Sequence, residues 1–108
     1  YVYTIVCVHD DSKTYYGAYE TVTDSFVLPL APGFEEMKTA LRAYKERMEK
    51  KGHDPLLLEF YIDTPEARLV QMTLKEAEAK NSESDFPIEL LRRSDAAEGT
   101  EKSGKGRR

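Results

Sequence analysis

Tryptophan is absent from this 108-residue sequence, cysteine occurs once and histidine only twice. The lone Cys7 excludes an internal disulfide and any cysteine-based zinc cluster, and it favours a reducing, intracellular compartment. No apolar run approaches the roughly 20 residues of a membrane-crossing helix, so no membrane span is expected. Positive charge is not in excess: 16 Lys/Arg face 20 Asp/Glu, a formal net charge of −4. That balance argues against a wholly electrostatic nucleic-acid binder. Also missing are a phosphate-cradling glycine loop, a zincin helix and a nucleophile elbow. No cofactor is called for. The chain opens on Tyr1 instead of Met, as a processed or trimmed piece does.

What is present divides the chain in two. Residues 1–93 hold twelve Lys/Arg against seventeen Asp/Glu and all the dense apolar runs. A stretch of this length buries about two-thirds of its unfolded surface, enough for one domain. Residues 94–108 carry no Ile, Leu, Val or aromatic residue, and their charge passes from acidic (Asp95, Glu98, Glu101) to basic (Lys102, Lys105, Arg107, Arg108). Such a segment has too little to bury to offset its ordering entropy and reads as a disordered tail.

Tyr1 to His9 alternates β-branched and aromatic residues on both faces, as an interior strand does. His9 to Lys13 reads as a turn and Thr14 to Val22 as the returning strand of a hairpin, with Gly17 marking a bulge or a close backbone approach. Thr23 to Gly33 reads as a loop with the apolar stretch Phe26-Val27-Leu28 packed on the body or forming a short edge strand. Phe34, Met37, Leu41, Tyr44 and Met48 recur at helical spacing, giving a helix from Phe34 to Lys51 stopped by Gly52. Leu56 to Asp63 reads as a strand.

The stretch 64–81 has two readings. One is a single helix opened by Thr64-Pro65-Glu66; the other is a hairpin, with a turn at Asp63-Thr64-Pro65-Glu66 and a fourth strand in which Val70, Met72 and Leu74 alternate with Gln71 and Thr73, the Thr73–Glu76 capping box then opening a short helix to Asn81. The second is preferred, because a single helix strands Leu69 and Met72 off its apolar stripe. Phe86 to Leu91 is a last apolar piece, a short helix or a docking arm. The sum is an α+β fold, a two-layer ββαββα sandwich with a mainly antiparallel sheet and its helices on one face.

Two constellations carry chemical interest. His9 with Asp11 and His53 with Asp54 share one end of that ββαββα topology, where imidazoles and carboxylates offer metal-ligand types; the plainer reading makes the aspartates turn residues. Seven tyrosines are the second feature. Tyr1, Tyr3, Tyr15, Tyr19 and Tyr61 fall on a sheet face away from the helix, if the valines of the first strand meet the helix. With Phe86, Leu90 and Leu91 of the arm they are interaction candidates, since tyrosine combines apolar area with a hydroxyl.

Tyr1-Val2-Tyr3, eleven residues and then Tyr15-Tyr16-Gly17 resembles the two-motif opening of GIY-YIG nucleases. The resemblance implies active-site roles for Tyr3 and for Tyr15 or Tyr16, a helical arginine at Arg42 and a metal-binding Glu further on. In this sequence Tyr1 stands in place of the leading Gly and Tyr16 in place of Ile. Arg42 follows a long insertion, and no Glu-plus-Asn ending follows.

The missing catalytic spacing, the tyrosines, the apolar arm and the charged tail point to a non-catalytic protein-interaction domain, a small structural or adaptor subunit of a larger assembly. The alternatives are a nucleic-acid-associated regulator that uses Lys102, Lys105, Arg107 and Arg108 on phosphates, or a degenerate GIY-YIG-like nuclease domain.

Overall fold

A computed structural model describes residues 1–91. The tail and its four basic residues lie outside the described residues. The fold is α+β, a five-stranded, mostly antiparallel sheet with two helices. Strand β1 (Val2–Asp10) pairs antiparallel with β2 (Lys13–Glu20), and β2 pairs antiparallel with β3 (Ser25–Ala31). Helix α1 (Phe34–Lys50) follows, then β4 (Glu59–Tyr61), β5 (Val70–Thr73) and α2 (Leu74–Glu83), with short 3₁₀ turns at Pro55–Leu57 and Glu66–Arg68. No helix among the described residues is long and apolar enough to cross a membrane.

The loop 23–33 contains a full edge strand. Pro29 sits inside β3, which an edge strand tolerates because one side of it needs no donor. Register shifts flank Ala18 on the β2–β3 ladder. They lie beside Gly17, where an added Cβ would stand 2.8 Å from the Phe26 ring and 2.9 Å from Leu30. A close approach at this glycine was legible from sequence.

Strands β4 and β5 do not form a hairpin with each other. Both lie parallel to β1 on its free edge, end to end: Val2 to Thr4 faces Glu59 to Tyr61, and Val6 to His9 faces Val70 to Thr73. The strand-then-helix reading of 64–81 holds. Thr73 Oγ1 accepts the Glu76 N–H at 3.1 Å, and the Glu76 carboxylate accepts the Thr73 N–H at 2.9 Å, closing the capping box.

The helices take opposite faces of the sheet, not one. Tyr3, Ile5, Cys7, Tyr16 and Ala18 pack against Met37 and Leu41 of α1. Val6, Val8, Tyr19 and Phe26 pack with Met72, with Ala77 of α2 and with Leu90 of the arm. The cause lies in β1, whose two alternating sets are both apolar and both need cover. One layer of helix would leave Val6 and Val8 or Ile5 and Cys7 in water, at roughly 1.5–3 kcal/mol for each large side chain.

Candidate functional site

The extra strand reverses the direction of α1. It starts beside Tyr16, where Phe34 lies 5.6 Å away ring to ring, and ends beyond Tyr3, which meets Tyr44. His53 and Asp54 therefore sit at the Tyr1 end, while His9 and Asp11 sit at the hairpin end. The shared His/Asp end expected from ββαββα topology does not form. No group of three or more His, Cys, Asp or Glu among the described residues is placed to hold a metal. Asp11 supplies the hairpin turn with a backbone φ of 52°.

At the hairpin end, polar side chains on the α1 face satisfy one another. His9 Nε2 lies 3.0 Å from Gln71 Oε1 and 3.6 Å from Cys7 Sγ, and Thr14 Oγ1 approaches Nδ1 at 3.5 Å. The Tyr16 hydroxyl donates to Glu66; that bond, with burial second, pushes the phenol up to about 12. Burial and then the Glu66 charge raise the Cys7 thiol as well, so the sulfur is a protonated packing group and not a thiolate nucleophile.

The Tyr1 end is built differently. Its base is Glu20, a carboxylate only 2% exposed. Burial alone would raise its pKa, but the carboxylate accepts the Val2, Val22 and Thr23 N–H groups at 2.7, 3.0 and 2.7 Å and the Thr23 hydroxyl at 2.6 Å. These bonds outweigh burial and hold the carboxyl below its ordinary range. The clamp ties the start of β1 to the β2–β3 turn.

Two apolar segments project around this clamp. The Asp54 carboxylate accepts the Leu56 N–H at 2.9 Å, and the Asp54 carbonyl accepts the Leu57 N–H at 2.9 Å. This turn presents Leu56 and Leu57 outward, 90% and 65% exposed. Tyr1 is pinned beside them: its amino group donates to the Leu57 carbonyl at 2.7 Å, and its own carbonyl accepts the Glu59 N–H at 2.9 Å. Beyond α2, the Asn81 side-chain amide clasps Ile88: its NH2 donates to the Ile88 carbonyl at 2.6 Å and its oxygen accepts the Ile88 N–H at 2.9 Å. The intervening loop is closed at its base and carries Phe86, 84% exposed, at its rim. A groove of about 400 Å³ runs along Tyr1, Leu56 and Leu57. A second, of about 340 Å³, runs from Tyr1 past Val27 to Phe86. The two meet at Tyr1.

Of the sequence candidates, Tyr1 and Phe86 are thus brought together. Tyr3 is buried against Tyr44 and stacked on Phe60 at 4.5 Å, and burial raises its phenol. Tyr19 and Leu90 are buried on the α2 face, with Tyr15 and Leu91 half-buried beside them. Tyr61 is exposed on β4 and donates to Glu59 at 3.2 Å. Tyr3 and Tyr19 therefore lie under opposite covered faces, and the five tyrosines do not line one open face. The nuclease-like positions do not converge either. Tyr3 and Tyr16 pair with Glu20 and Cys7, four positions apart along β1 and so roughly 13 Å. Tyr15 points to the other face, and Arg42 meets Asp63 at 3.8 Å on the surface.

Leu56 and Leu57 were not singled out from sequence, where they read as the start of a strand. The available signal was the run Leu56-Leu57-Leu58, apolar on both alternations directly after the turn pair Asp54-Pro55. No protein-family model matches the chain, and no curated protein or solved structure matches it either.

Proposed function

We propose that this chain is a non-catalytic protein-interaction domain, a small adaptor or structural subunit that receives a protein partner on the face formed by Tyr1, Leu56, Leu57 and Phe86. The observation that carries this reading is the exposure of large apolar side chains around two adjoining grooves. An isolated exposed leucine is ordinary, but a cluster of leucines and aromatics rimmed by polar groups marks an interaction surface. Its backbone is held in place by the Asp54 turn, the Asn81 clasp and the Glu20 clamp, so little ordering is left to be done on binding. The grooves are shallow and open, suited to side chains of another protein.

A photo-reactive residue installed in the full chain at Leu57 or Phe86 is expected to capture one protein from native extract, and the same residue at Lys13 is not. The captured protein, purified, should bind the unmodified chain and lose binding to Leu57→Asp at unchanged Tm. Equal capture from Lys13, or undiminished binding by Leu57→Asp, would refute the assignment.

A further inference from the structure

The charge around the two grooves narrows the partner. Resting on the docking reading above, we infer that the partner presents apolar side chains flanked by Lys or Arg, a basic-and-apolar segment of another protein. Among the described residues, every charged side chain that lines either groove is acidic: Glu59 in one, Glu20, Glu83 and Asp85 in the other. Glu20 is buried and spent on its hydrogen bonds. Glu59, Glu83 and Asp85 are exposed, and none meets a lysine or arginine among the described residues. Lys50 and Lys51, at the same end of the molecule, line neither groove.

An acidic rim around an apolar centre repels acidic partners and steers basic ones, giving specificity and a salt-dependent on-rate while the leucines and aromatics supply burial. The chain's own Lys102–Arg108 segment has the charge but no apolar side chain to fill the grooves. It is therefore a poorer fit than a segment of another protein that carries both.

The test titrates the full chain with labelled peptides by anisotropy and maps the site by amide shifts. One peptide has a Leu/Phe core flanked by lysines, a second the same core flanked by glutamates, and a third is the chain's own Lys102–Arg108 segment. The lysine-flanked peptide is expected to bind about tenfold or more tighter than the glutamate-flanked one at low salt, with the gap closing as salt rises. The double variant Glu83→Lys, Asp85→Lys should reverse the preference, and Leu57→Asp should abolish binding of both core peptides. Equal affinity for both flanks, with loss in Leu57→Asp, would leave the docking face standing and overturn the basic partner. Binding of the Lys102–Arg108 peptide as tight as the lysine-flanked core would also overturn it, in favour of the chain's own tail. Absence of shifts at Leu56, Leu57 and Phe86 with every peptide would overturn both readings.

Discussion

The two ends of the sheet distribute polar and apolar groups in opposite ways. At the hairpin end, His9, Gln71, Thr14, Tyr16 and Glu66 bond to one another, and the apolar side chains beneath them are buried. At the Tyr1 end a carboxylate is buried, while Leu56, Leu57 and Phe86 stand in water. A buried charge under an exposed apolar cluster reverses what folding alone favours. The hairpin end is explained by the stability of the fold; the Tyr1 end is not, and that difference is the ground for the docking face proposed there.

The largest test of that contrast removes the buried charge. Glu20→Ala leaves three N–H groups and the Thr23 hydroxyl without their acceptor and is expected to cost about 3–5 kcal/mol in urea unfolding, with Glu20→Gln costing less. Because the folded pKa lies below the unfolded one, this contribution is complete above the ordinary carboxylate range and is lost as pH falls through the folded pKa. The wild-type urea midpoint should therefore drop on acidification below about pH 4.5, and Glu20→Gln should flatten that dependence. An unaltered acid slope in Glu20→Gln would show that the clamp is not the titrating element.

The same residue type at two places gives the next contrast. Leu41, fully buried under the sheet, should cost about 2–5 kcal/mol on truncation to Ala. Leu57→Ala should stay within about 0.5 kcal/mol, since its side chain faces solvent. A Leu57→Ala loss near that of Leu41→Ala would mean that the exposed leucine is part of the core and not a docking group. Gly17→Ala forces a Cβ against Phe26 and Leu30 and is expected to cost about 1–3 kcal/mol, read as a lower Tm.

Smaller still is Tyr19→Phe. The Tyr19 hydroxyl is buried and has no hydrogen-bond partner among the described residues, so its removal should be neutral or stabilise by up to about 1 kcal/mol. A clear loss of stability would reveal a partner, such as a buried water, at that oxygen.

Elements with a strong local signal were legible in the sequence: the first hairpin, the apolar stripe of α1, the Gly52 stop at φ 89° and the Thr73 capping box. These depend on spacing within one segment. The position of β3 was obscured because Pro29 removes a ladder donor, a loss that only an edge strand absorbs. Leaving that strand out of the ββαββα order inverted α1 and put His53 beside His9. The parallel pairing of β4 and β5 with β1 depends on which strand a segment meets, which periodicity within the segment does not encode. The apolar face of β1 that needed a second cover was visible all along in Val6 and Val8. Within the candidate site, Tyr1 and Phe86 were named from the sequence as interaction candidates, without their exposure. Leu56 and Leu57 were hidden inside an apolar run that also fits a strand.

Amide hydrogen exchange of the chain, alone and with the purified protein captured through Leu57, tests the docking face most directly. Slowed exchange is expected at Leu56, Leu57 and Glu59 and around Phe86, with no change from His9 to Thr14. Protection confined to the hairpin end, or spread evenly over the sheet, would contradict the assignment.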